Sequence, residues 1–264
     1  MSGNEAFELV SERGWLRGWS NMLRSGLARW FKTRTWWAQC LIWSGIIGGL
    51  MAAVAFSPGA APPEELLTLF AVFVGLFPAV GVVIIMQDAL VGEKREGTAA
   101  WVLSKPVTRP SFVLSKVVAN SLGVSLTMVL VPALVSYALL YFTRHFTIGT
   151  VNLILAMVVI FVSHFFFLSL TLMLGTFFNS RGPVIGIPLA ILFLQQNLIG
   201  ILPALRFVLP WNLVIPIGNG SSPVVSLMLG VPVQSEHLTT LAMIALESII
   251  FIIVALWRFN REEF

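Results

Sequence analysis

The chain has 264 residues, of which 57% are apolar and only 11% charged, with a mean hydropathy of +0.90 and a formal charge of +4. Repeated apolar runs of about 20 residues, the length that crosses a hydrocarbon core, exclude a soluble globular fold, and the polar stretches are too short to form a separate soluble domain. The single cysteine, Cys40, excludes an intrachain disulfide framework and a cysteine metal cluster. The excess basic residues flank apolar runs, where they set orientation in a membrane rather than bind nucleic acid.

Residues 1–13 are polar, with Glu5, Glu8 and Glu12, and are expected to be a frayed end or a short helix. They do not resemble a cleavable signal peptide, because the first 36 residues carry six Lys or Arg and no uninterrupted apolar core. Over 14–36 the apolar residues Trp15, Leu16, Trp19, Met22, Leu23, Leu27, Trp30 and Phe31 recur at helical period, with Arg17, Arg24, Arg29 and Lys32 off that stripe. This predicts an amphipathic helix in the lipid headgroup layer, where an indole buries its ring and keeps its N–H wet. A helix packed on protein is the alternative.

Six spans follow, at 37–56, 66–86, 117–142, 151–178, 183–203 and 239–257. The fold class is therefore an all-α polytopic membrane protein. Gly45 and Gly49 in the first span have the small-x-x-x-small spacing that lets another helix approach closely. The 204–238 segment contains only Arg206 and Glu236 as charges and is broken by Pro210, Pro216, Gly218, Gly220 and Pro223. Its apolar pieces are too short to cross, so they are expected to be re-entrant or interfacial helices on the outer side.

Six crossings alternate the loops between two sides. Fourteen Lys or Arg fall on the side of the termini and of the 87–116 loop, against Arg144 and Arg206 on the other. The positive-inside rule then predicts cytoplasmic termini in a cell inner (plasma) membrane.

No Lys or Arg lies inside a span, which makes the remaining polar groups conspicuous. Glu247 falls near the middle of the sixth span, where an ionised carboxylate costs about 2.5–3.5 kcal/mol. It is a candidate for a translocation path or proton site, with His164 of the fourth span as a conceivable partner, or else a hydrogen-bonded group at a helix interface. Gln195, Gln196 and Asn197 in the fifth span are expected to make interhelical hydrogen bonds. No phosphate loop, dinucleotide fingerprint or H-E-x-x-H zinc motif occurs, and His145, His164 and His237 are scattered, so the chain itself is not expected to be an enzyme or to hold a metal or cofactor.

The 87–116 loop concentrates eight charged residues: Asp88, Glu93, Lys94, Arg95, Glu96, Lys105, Arg109 and Lys116. A helix over 88–103 is expected to end before Lys105, because Pro106 disfavours helical geometry at the preceding residue, and Pro110 suits the first turn of the next. The run Glu93-x-x-x-Gly97-Thr98, then Leu103-Ser104-Lys105-Pro106-Val107-Thr108-Arg109, resembles the cytoplasmic loop of ABC-2 type transporter permeases. The resemblance extends to the entry helix, the six spans and the apolar segment before the last span. It implies that the loop is a coupling helix docking on a separate ABC ATPase subunit, with Glu93, Arg95, Glu96, Gly97, Thr98, Lys105, Pro106 and Arg109 at or supporting the contact. It also implies that ATP and Mg are bound by that partner and that two permease chains, expected to be identical, form the unit. The apolar spans favour an amphiphilic or hydrophobic cargo. Two other classes stay open: an ATP-independent secondary transporter with a Glu247/His164 proton relay, and a non-transporting scaffold.

Overall fold

The computed structural model of the protein describes residues 14–57, 59, 62–216 and 220–263. The expectation for residues 1–13 lies outside them. Among the described residues there is no strand. An entry helix α1 (Trp19–Phe31) leads into α2 (Thr35–Ala55) and α3 (Pro63–Arg95); a short α4 (Thr98–Leu103) then precedes α5 (Arg109–Arg144), α6 (Thr150–Phe177) and α7 (Arg181–Ile201). After a 3₁₀ turn at Pro203–Phe207 come the short helices α8 (Trp211–Val214) and α9 (Pro223–Leu229) and the last long helix, α10 (Ser235–Asn260). Six of these, α2, α3, α5, α6, α7 and α10, are long and apolar enough to cross a membrane.

Burial orders the bundle. In the most apolar windows of α3 and α6, 56% of residues are buried, against 22% in α2 and α10 and 28% in α7. α3 and α6 are therefore the centre, and the other three present most of their surface outward. α2 lies along the second half of α5, α10 packs most extensively against α6, and α7 leans on α3 and α6. The pieces between α7 and α10 turn inward, with Leu213, Val214, Val224 and Val225 fully buried against this centre. Packing on protein removes the apolar side chains from water and lets the short helices end without exposing backbone to lipid.

Two long helices differ from the sequence expectation at their ends. α3 runs on past Met86 to Arg95, and α5 begins at Arg109, ahead of the expected 117, so the 30-residue loop contracts to a 13-residue connection, 96–108. With 33 and 36 residues these helices are about 50 Å long, more than the roughly 30 Å hydrocarbon core, and they project beyond it. The extensions remain helical because they still have an apolar face to bury: Leu90 and Val91 on α3, Phe112 and Val113 on α5. Each also contains a wider π-helical turn, at Asp88–Gly92 and Ser125–Leu130. The second lies just ahead of Pro132, where an ordinary α-turn would drive the proline ring into a carbonyl one turn back.

The entry helix is shorter than the 14–36 stripe and is not only a lipid-facing element. Trp30, expected in the headgroup layer, is 4% exposed and donates its indole N–H to Asn120 of α5 at 2.9 Å. A Cβ at Gly123 would run into the Trp30 ring, so the glycine creates the seat. Of the remaining aromatics of the stripe, Trp15 and Phe31 are exposed and Trp19 is half-buried; Trp36 and Trp37 at the start of α2 are exposed.

Candidate functional site

The charged residues of 87–116 separate by direction. Glu93, at the end of α3, lies 2.6 Å from Lys116 of α5 and 3.6 Å from Arg29 of α1. One residue later, Lys94 reaches the other way: its ammonium is 2.6 Å from Glu262, beyond the end of α10, and donates to the Gly175 carbonyl near the end of α6 at 3.2 Å. Both partners of the Lys94–Glu262 pair are close to buried, at 8% and 12% side-chain exposure. Asp88 meets Arg181 at the start of α7 at 2.6 Å, in a pair that is about half exposed. On the far side of the connection, Arg109 donates to the carbonyls of Phe259 and Asn260 at 3.2 and 2.6 Å, and Phe112 stacks on Phe259 with ring centroids 5.4 Å apart. These groups tie α1, α5, α6, α7 and α10 to the end of α3.

Helix geometry explains the split. Neighbours in sequence on a helix project about 100° apart, so Glu93 and Lys94 face different partners. The expected continuous helix over 88–103 is interrupted at Gly97, whose φ of 70° is the left-handed conformation that ends α3 and starts α4 in a new direction. Pro106 and Thr108 then close the loop. Thr108 caps α5 by accepting from the Ser111 N–H, donates its hydroxyl to the Trp15 carbonyl at 2.7 Å and bonds through its backbone N–H to Arg17 O at 3.1 Å. Arg17 in turn donates to the Pro106 carbonyl at 3.1 Å. Pro110 occupies the first turn of α5, where its missing N–H has no helical partner to lose.

What remains outward is a ridge made of Arg95, Glu96, Gly97, Ala100, Trp101, Ser104, Lys105 and Pro106, all exposed. Its most prominent side chain is Trp101, 64% exposed, with the Lys105 ammonium 5.1 Å from its ring centroid. Beside the ridge runs a groove of about 590 Å³ lined by Leu103, Val107, Arg109 and Asn260 among others. Of the residues expected to contact a partner, Arg95, Glu96, Gly97, Lys105 and Pro106 lie on the ridge; Thr98 is half-buried, and Glu93 and Arg109 are engaged with the chain's own helices. Trp101 was not foreseen. Its signal in the sequence is a lone tryptophan in the most charged stretch of the chain, but hydropathy counts it as one more apolar helix residue.

His164 and Glu247 stand at matching depth, each 13 residues before the end of its helix at Phe177 and Asn260. They are not joined. His164 is buried and its Nδ1–H donates to Ile160 O at 2.7 Å, while His164 Nε2 and Glu247 Oε2 have no hydrogen-bond partner among the described residues. Gln195 is buried and bonds its own helix at Leu192 O, Gln196 and Asn197 are exposed, and no interhelical bond from the three is seen among the described residues. Among the described residues no group of three His, Cys, Asp or Glu is placed to hold a metal.

Six membrane-capable helices, two of them buried at the centre, with an exposed polar ridge at one end, define a multi-pass membrane protein. The chain matches the ABC-2 family transporter protein domain over residues 31–264 and belongs to that family. Its role is thus transmembrane transport. No curated protein gives a significant match.

Proposed function

We propose that the chain is the permease subunit of an ABC-2 exporter, and that the ridge between Arg95 and Pro106 docks on a separate ABC ATPase subunit that binds ATP and Mg. The observation that carries this reading is Trp101: a large aromatic left 64% exposed on a braced ridge, with the Lys105 ammonium beside its ring. Aromatic anchors flanked by charge are the usual high-energy contacts of protein interfaces, while the surrounding charges steer the approach. The exposed ridge carries Arg95, Lys105 and Glu96, a net single positive charge that suits an acidic-rimmed apolar pocket.

Two permease chains complete the unit in this reading. Gly45 and Gly49 on α2 support it, since a Cβ at either would meet nothing within 4 Å and the face stands open to a second helix. The ridge then lies in the cytoplasm with both termini, in the inner membrane, and the cargo is amphiphilic or hydrophobic, in keeping with spans that present aliphatic and aromatic surface. A relay between Glu247 and His164 draws no support from their separate environments.

Co-expression with the ABC ATPase subunits of the same genome tests the proposal. A stable complex whose assembly is lost on Trp101→Ala and weakened by Lys105→Glu is expected. Failure of every such ATPase to co-purify with the unaltered chain would overturn it.

A further inference from the structure

The last turn of α10 and the residues after it are held from two sides by the flanks of the ridge. Lys94, immediately before the ridge, pairs with Glu262 at 2.6 Å and also binds the Gly175 carbonyl at the end of α6. Arg109, three residues after it, donates to the Phe259 and Asn260 carbonyls at the C-terminal end of α10. Phe112 stacks on Phe259 between these polar contacts, with the rings 7° from parallel and both side chains fully buried. Arg258 adds a looser contact over the Phe177 ring at 6.0 Å, again joining the ends of α10 and α6. By contrast, α7 is tied to this end of α3 by the half-exposed Asp88–Arg181 pair, which water screens.

We infer that Phe259–Glu262 is a latch: Lys94 and Arg109 grip it from either side of the ridge, so that α6 and α10 move with the ridge as one block while α7 is free to shift against them. This rests on the proposed docking role only for what pulls the ridge; the latch itself is a statement about the permease alone. The direction of force follows from stiffness. The ridge is braced by a helix end, a left-handed glycine and a capped helix start, and its flanks meet the α10 end through charge-assisted bonds, of which the Lys94–Glu262 pair is close to buried. Lys94 and Arg109 are accordingly positioning residues that act through the α10 end. Glu262 is the distant partner that gives the C-terminal turn a mechanical role.

The single cysteine makes the test direct. In a Cys40→Ser background, spin labels at Ser104 on the ridge and Glu263 on the tail, both exposed, report the distance across the latch. For the purified permease alone a single narrow distance distribution is expected. Lys94→Met should broaden it, Lys94→Arg should restore it, and the exchange Lys94→Glu with Glu262→Lys should recover it in part. A broad distribution in the unaltered chain, or a Lys94→Met distribution as narrow as the unaltered one, overturns the latch. In the complex with the ATPase, ATP should leave the Ser104–Glu263 distance unchanged while a Ser104–Gly182 pair, reporting on α7, shifts. A Ser104–Glu263 distance that changes as much as the α7 pair also overturns it. Absence of any ATPase complex with the unlabelled chain counts against the docking proposal, and the measurements on the permease alone still decide the latch.

Discussion

The stretch from Gln87 to Lys116 holds two groups of charges that look alike in sequence and behave differently in the fold. Asp88, Glu93, Lys94, Arg109 and Lys116 each have a partner elsewhere in the chain, and most of their side chains are withdrawn from water. Arg95, Glu96 and Lys105 stand exposed around Trp101. The first group fixes where the second is presented. Rigid presentation of a ridge requires that its roots be tied to several helices, and charge-assisted bonds near the membrane surface do this with more directional definition than apolar packing.

The sharpest way to break the distinction is to attack each group and ask which property fails. Lys116→Met leaves Glu93 with only the longer Arg29 contact at 3.6 Å, in a site where both original partners were mostly buried at 11% and 18% exposure. Loss of one member of such a pair costs about 3 kcal/mol, because the other charge stays desolvated. A marked drop in the unfolding midpoint of the purified permease is expected, with ATPase binding reduced only as far as folded protein is lost. An unfolding midpoint equal to that of the unaltered chain would mean that water reaches the pair and that it braces nothing.

Trp101→Ala should give the converse result. Truncating an aromatic anchor at the centre of an interface costs about 2 kcal/mol or more, roughly a 30-fold loss of affinity. The exposed ring makes little contact within the chain, so stability should stay within about 0.5 kcal/mol of the unaltered protein. Binding measured by surface immobilisation of the permease in nanodiscs separates the two quantities. A variant that both unfolds and loses binding would merge the two groups.

Gly123→Val probes the brace rather than the ridge. The added side chain would collide with the Trp30 ring and push α1 off α5, carrying Arg29 away from Glu93. Overpacking of this kind costs about 1–3 kcal/mol. Faster proteolytic cleavage within 14–34 is the expected signature, because that segment would lose its seat while the six spans remain.

The six crossings and the all-helical class were legible because apolar run length is a local property, summed over neighbouring residues. The direction of each charge was not. Lys94 and Glu96 differ by two positions, yet one meets Glu262 near the far end of the chain and the other meets solvent, and nothing within a helical turn records that difference. The same limit applies to Trp30. Its periodicity fits a lipid-facing stripe and a protein-facing stripe equally well, and only the gap at Gly123, 93 residues on, selects the second. Trp101 was overlooked for the opposite reason: its residue type predicts burial, and exposure is a property of the finished fold.

Asp88 supplies the finest test, since it belongs to the inward group by partner and to the outward group by exposure. Its pair with Arg181 is as short as the Glu93–Lys116 pair, 2.6 Å in each case, but its side chains are 45% and 48% exposed. If proximity set the energy, Asp88→Asn would be as damaging as Lys116→Met. Solvent exposure instead predicts an effect within about 1 kcal/mol, diminishing further as salt is raised. Unfolding of Asp88→Asn followed at low and high ionic strength decides between them. A large, salt-insensitive loss would show that α7 is held as firmly as α6 and α10, and the block that moves with the ridge would then have to include all three helices.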